Sequence, residues 1–142
     1  ERVTGYMRAL RDAGLPVIPE YVFRKTIDSD SGYEAMEHFM SLKEKPSAVF
    51  IGGHDLVTGA LSYCSEHKVS IPDDISFVGF ENEEASKIYR PTLSYATQPM
   101  KKMAEGACQM LIDRISGSYV GAARCSVMNA DFVEGLSVKN MT

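Results

Sequence analysis

The chain has 142 residues, 44% of them hydrophobic and 24% charged, with a net charge of −4 and a pI of about 5.4. That length supports one domain with a real core, and the composition is that of an ordinary globular protein. The acidic balance and the lack of a basic run exclude a nucleic-acid surface within these residues, and no apolar run approaches the roughly 20 residues of a membrane span.

Val3, Met7 and Leu10 fall at helical spacing, with Tyr6 and Ala13 beside them, so a helix opens the chain and ends at Gly14 and Pro16. Residues 21–26 are rich in β-favouring side chains and read as a strand. Asp28, Ser29, Asp30 and Ser31 follow, and any of their side-chain oxygens could cap the next helix. That helix carries Tyr33, Met36, Phe39 and Met40 as its apolar stripe and closes at Lys43, Lys45 and Pro46.

The stretch 46–90 organises the rest. Two short apolar runs, 48–51 and 75–80, flank a helix that starts near Asp55 and buries Leu56, Val57, Ala60, Leu61 and Cys64. A turn at 72–74 leads into the second strand, and a short helix over 83–88 stops before Pro91, because the residue before proline avoids helical torsions. Residues 93–97 read as a further parallel strand. Pro99 suits the first turn of a helix with the stripe Met100, Met103, Ala104, Ala107, Leu111 and Ile115, ended by Gly117. A loop over 118–123 and a terminal strand within 125–133 complete the pattern, and the tail 138–142 carries no clear signal. The alternation predicts an α/β fold, a mostly parallel sheet with helices on both faces. Ligands of such sheets bind outside the carboxyl ends of the strands, here Gly52, Gly53, His54 and Asp55 after one strand and Glu81 and Asn82 after the next.

Each of these residues has two readings. His54 and Asp55 could hydrogen-bond a ligand or form an acid–base or metal pair, although neighbours on one loop rarely converge without a third partner; alternatively, Asp55 is simply the N-cap of the helix. Gly52 and Gly53 could approach a phosphate, but the Lys and Ser/Thr of a phosphate loop are missing, and a tight turn explains them equally. Glu81 is either a ligand acceptor or a solvated carboxylate near Glu83, Glu84 and Lys87; Asn82 could cap the short helix. Cys64, Cys108 and Cys125 are too widely spaced for a disulfide scaffold or zinc site and suit reduced thiols.

Four motifs carry a resemblance. Pro-Ser-Ala-Val-Phe-Ile-Gly-Gly-His-Asp-Leu-Val-Thr-Gly-Ala-Leu from Pro46, Ile-Pro-Asp-Asp-Ile-Ser-Phe-Val-Gly-Phe-Glu-Asn from Ile71, Arg-Pro-Thr-Leu-Ser-Tyr-Ala-Thr-Gln-Pro from Arg90 and the opening Glu-Arg-Val-Thr-Gly-Tyr-Met-Arg-Ala-Leu together resemble the lactose/galactose-repressor family of bacterial transcription regulators, in the family's order over about residues 1–117. The resemblance implies the C-terminal part of an effector-binding region with a type I periplasmic-binding-protein-like fold. Residues 1–98 and about 124–136 would form most of its second subdomain, and the crossover helix at about 99–117 would belong to the first. The DNA-binding domain would lie upstream. The methionine-rich stripe Met100, Met103 and Met110 reads most simply as core against a sheet; if the first subdomain lies outside this polypeptide, the stripe is exposed and the fragment dimerises or swaps that helix.

By the same resemblance, the ligand positions are Ile27 (often aromatic in the family), His54, Asp55, Glu81 (usually Asp) and Asn82, with a ligand arginine just before Glu1. Tyr63, His67, Ile88 and Tyr89 would anchor a homodimer. The implied protein is a cytoplasmic, non-enzymatic sensor of a small, sugar-like effector. It would use no cofactor or metal, have no membrane contact, and reach operator DNA only through the upstream domain. An exported sugar-binding protein of the same architecture and a hydrolase using His54, Asp55 and Glu81 are the competing readings.

Overall fold

The structure, a computed structural model, describes residues 1–80 and 86–140. Helix α1, Arg2–Asp12, ends as its pattern predicts: Gly14 takes a positive φ of 70°, and the Leu15 N–H returns to the Leu10 carbonyl at 2.8 Å. Helix α2, Ser29–Ser41, starts at Asp28, whose carboxylate accepts from the Ser31 N–H at 2.7 Å. A side-chain hydrogen bond with Thr26, then those with Ser31, hold the Asp28 carboxyl below the usual carboxylate range. A depressed folded pKa contributes stability above the unfolded value, and that contribution is lost as pH falls through the folded one. Asp28→Ala should therefore lower the urea midpoint at neutral pH, and the gap from the parent should close below about pH 4; a gap of constant size from neutral to acid pH would contradict this.

Four strands follow: β1 Ala48–Ile51, β2 Ser76–Phe80, β3 Ser94–Thr97 and β4 Asp131–Val133. They form one sheet in the order β1-β2-β3-β4, with β1–β2 and β2–β3 parallel and β3–β4 antiparallel. The mostly parallel α/β sheet expected from the alternation is the one observed. The last strand is shorter than the stretch 125–133 and runs opposite to the others.

Helix α3, His54–Glu66, lies between β1 and β2 and packs on α2. Its N-cap is Gly53 and not Asp55, which sits exposed in the first turn without capping. Met36 and Phe39 of α2, Val57, Ala60, Tyr63 and Cys64 of α3, and Ile51, Ile75, Phe77 and Leu93 of the sheet region form the core. Full burial of each large side chain contributes about 1.5–3 kcal/mol. Burial also pushes the Cys64 thiol up to about 11, so it stays protonated; Cys108 and Cys125 are exposed free thiols.

The strand expected over 21–26 does not form. Pro19–Tyr21 is a 3-10 turn, and the segment after it is tied to α2 instead of β1. Phe23 packs on His38 and Phe39 with ring centroids 5.6 and 6.3 Å away, Lys25 pairs with Glu34, and the Tyr21 hydroxyl donates to the Glu44 carbonyl at 2.9 Å. Side-chain attachment to the helix wins over ladder pairing, and a groove separates the segment from β1.

Helix α4, Met100–Ile115, begins directly after Pro99, and its end is followed by Gly117 at φ 74°. It buries none of its residues: Met100 is 63% exposed, Leu111 60% and Ile115 78%. The stripe is present as predicted but is not core within the described residues. The short helix expected over 83–88, with Glu81 and Asn82, lies largely outside the described residues.

Candidate functional site at the strand exits

Three chain features meet at the carboxyl ends of β1, β2 and β3. Gly52 and Gly53 leave β1, Phe80 ends β2, and Gln98 follows β3. Across them lies Arg2, the first residue of α1. Its Nη1 donates to the Gly52 carbonyl, and its guanidinium stands over the Phe80 ring, 4.0 Å from the centroid. A guanidinium carries five N–H donors. Among the described residues Arg2 has no carboxylate partner, and the donors not spent on Gly52 are open to an acceptor.

Two cavities adjoin Arg2. A smaller one of about 320 Å³ is bounded by Glu1, Arg2, Phe80, Gln98, Met103 and Met128. A larger groove of about 730 Å³ runs from Arg2 and Ile27 past Gly52, between Phe23 and Ile51. Its lining is mostly apolar with a few polar groups at the mouth, the usual make-up of a small-molecule site.

The structure brings Ile27 to this place. It is 63% exposed and lines the larger groove, and a Cβ on residue 53 would make a tight 3.0 Å contact with the Ile27 Cγ2. His54 and Asp55 are close in sequence but line neither cavity. His54 is exposed and its Nδ1 lies 3.4 Å from the Tyr89 hydroxyl. Among the described residues, no group of His, Cys, Asp and Glu is arranged to hold a metal ion. Glu81 and Asn82 lie outside the described residues.

Pattern reading did not single out Arg2, which the structure lays across the strand exits; the ligand arginine that the family resemblance implied just before Glu1 lies outside the described residues. The available signal in the sequence was a cationic residue in the first turn of the opening helix.

The proposed dimer residues have mixed settings. Tyr63 is 8% exposed and stacks on His67 with centroids 4.2 Å apart; His67 is exposed, Ile88 is 77% exposed, and Tyr89 is half-buried against the core. Tyr33 donates to Glu66 at 2.9 Å, which raises its pKa, and its hydroxyl also meets His67 Nε2 at 3.2 Å.

The comparison with known proteins follows this geometry. Residues 1–138 match the periplasmic binding protein-like domain. The chain belongs to that family. It is 34% identical over 114 residues to the HTH-type transcriptional repressor PurR of Photorhabdus laumondii, covering 80% of this chain and 33% of the repressor. A LacI-type transcription regulator from Bifidobacterium animalis superposes with a TM-score of 0.88 at 31% identity, over 97% of this chain and 49% of that one. The transcriptional regulator CelR in complex with cellobiose gives a TM-score of 0.87 at 26% identity, over 96% and 42%. This periplasmic-binding-protein-like chain thus spans about a third of the curated relatives and about half of the solved ones. Its relatives are repressors of the LacI type and not enzymes, in line with the motif resemblance. No helix among the described residues is long and apolar enough to cross a membrane.

Proposed function

We propose that this chain is the ligand-sensing and dimerisation part of a bacterial DNA-binding transcriptional regulator acting in the cytoplasm. A sugar or related metabolite binds at the strand exits, and operator DNA is reached through a separate DNA-binding domain. The observation that carries this reading is Arg2, held against the Gly52 carbonyl and the Phe80 ring with donors to spare at the mouth of two cavities. A fixed guanidinium over an aromatic face is pre-organised for hydroxyl or carbonyl oxygens. Ile27 supplies apolar contact, and Glu81, Asn82, His54 and Asp55 are the polar ligand residues that the family resemblance implies. The CelR relative, solved with cellobiose, supports the sugar class.

The exposed stripe of α4 supports the division in which residues 1–98 and about 124–136 form one subdomain and α4 packs on the other. A ligand between them shifts their orientation only if it binds one arrangement more tightly. Tyr63, His67, Ile88 and Tyr89 mark the dimer face, with the exposed Ile88 as its apolar anchor.

Calorimetric titration of the natural polypeptide with cellobiose and a panel of related sugars tests the site. A hydrogen bond from a charged group contributes about 1.5–3 kcal/mol, so Arg2→Ala should weaken binding of whichever sugar binds by about 10- to 150-fold. Equal affinity in the parent and in Arg2→Ala would remove the strand exits from the reading.

A further inference from the structure

The larger groove is held open by anchors on both of its walls. On one side the segment over residues 21–27 is tied to α2, through Phe23 on His38 and Phe39, Lys25 on Glu34 and the Tyr21 hydroxyl on the Glu44 carbonyl. On the other stands β1, an edge strand that pairs only with β2 among the described residues, and Arg2 is fixed at its end by the bond to Gly52. The floor reaches the core: the nearly fully buried Met36, Phe39 and Ala60 line the groove together with Phe23 and Ile51. Apolar carbon placed on such a floor leaves water, which is favourable in proportion to the area covered.

The charged lining of the groove is lopsided. Arg2, Arg24 and Lys25 contribute to it against a single carboxylate, Glu1. Lys25 is already paired with Glu34, whereas neither Arg2 nor Arg24 has a carboxylate partner among the described residues. Two unpaired guanidiniums on one groove, in a chain of net charge −4, mark a place that favours an anion. We propose that the groove is a binding site for an organic acid with an apolar body. Its carboxylate takes the Arg2 guanidinium at the strand exits, Arg24 adds its charge along the rim, and the hydrocarbon lies between Phe23 and Ile51 over Met36, Phe39 and Ala60. A guanidinium fork matches a carboxylate in two parallel hydrogen bonds, and such charge-assisted bonds are about twice as strong as neutral ones. A sugar laid along the same floor would strand its hydroxyls against apolar carbon. The site shares only its mouth, Arg2 and Ile27, with the sugar-sensor reading; Arg24 and the floor belong to the acid alone.

Calorimetric titration of the natural polypeptide with butanoate, hexanoate and octanoate tests the site. Each added methylene should tighten binding about fourfold as it is buried. 1-Octanol, with the same chain and no charge, should bind about 10- to 150-fold more weakly than octanoate. Arg24→Gln, at an exposed position, should weaken octanoate several-fold and leave 1-octanol unchanged. Methyl NMR locates the contact: Met36 and Ile51 signals should move with octanoate, and that of Ile115, on the exposed stripe of α4, should not. Affinity that does not rise with chain length overturns the proposal, and this arm needs no variant to fold. So does 1-octanol binding as tightly as octanoate, an unmoved affinity in Arg24→Gln, or a shift confined to Ile115. Cellobiose separates the two readings: a protein that binds cellobiose and not octanoate keeps the sensor reading and loses the groove, and the reverse keeps the groove and removes that sugar from the sensor reading.

Discussion

Gly59→Ala is expected to destabilise the protein by about 3 kcal/mol or more, the upper end of what overpacking a core usually costs. In an isolated helix the same change would stabilise by about 1 kcal/mol, because alanine is the better helix former. The sign reverses because α2 and α3 cross backbone to backbone. A Cβ on Gly59 would lie 1.8 Å from the Ser29 carbonyl oxygen and 2.8 Å from the Tyr33 nitrogen. The contact is reciprocal: a Cβ on Gly32 would lie 2.2 Å from the Leu56 carbonyl oxygen. Backbone cannot swing aside as a side chain can, so the helices must separate and loosen Met36, Phe39, Val57 and Ala60 together. Urea denaturation of the natural polypeptide measures this, with Gly5→Ala as the control. Gly5 lies in α1 with nothing within 4 Å of its Cβ position, and its replacement should stabilise by up to about 1 kcal/mol. Equal midpoints for Gly59→Ala and the parent would show that the crossing is wider than described.

Ser137→Ala should cost about 2–6 kcal/mol, although it removes a single oxygen. Ser137 is fully buried, and its Oγ donates to the Phe77 carbonyl at 2.6 Å and accepts from the Ser94 N–H at 2.8 Å. One hydroxyl thus joins β2 to β3, and its loss leaves two buried backbone groups unsatisfied at about 1–3 kcal/mol each. The surrounding bonds show how the tail is seated. Phe77 N–H donates to the Ser137 carbonyl at 2.8 Å, Leu136 N–H to the Thr92 carbonyl at 2.7 Å and Lys139 N–H to the Ser76 hydroxyl at 3.0 Å. Gly135 permits the approach, since a Cβ there would lie 2.5 Å from the carbonyl oxygens of both Thr92 and Leu93. Hydrogen exchange adds a local readout: the Phe77 and Ser94 amides should lose protection in Ser137→Ala. A substitution at Val138, which is 45% exposed, should leave them protected. Retained protection at both amides would mean that the tail is not what ties the two strands.

What was legible in advance followed from periodicity and end signals. The stripe of α2, the buried side of α3, the apolar runs of β1 and β2 and the glycine stops of α1 and α4 are local properties, and local sterics and hydrogen bonding suffice to produce them. Naming the strand exits as the candidate site also needed only the parallel order of strands, and Ile27 lines the groove there.

The remaining features depend on contacts between distant residues. The stretch 21–26 has a strand's composition, but Phe23 and Lys25 find partners on α2, and composition alone cannot weigh a ladder against a side-chain anchor. Arg2 looks like a surface residue in sequence and becomes the centre of the site only because α1 lays it across Gly52 and Phe80. Ser137 sits just before the tail that carries no pattern, and one buried hydroxyl leaves no periodic trace. The sequence by itself therefore determined most of the helices and strands and the end of the sheet at which the candidate residues lie, because those follow from short-range chemistry and strand order. Only the tertiary structure decided which charge stands at that end and which hydroxyl closes the sheet, because both depend on residues about fifty positions apart meeting in space.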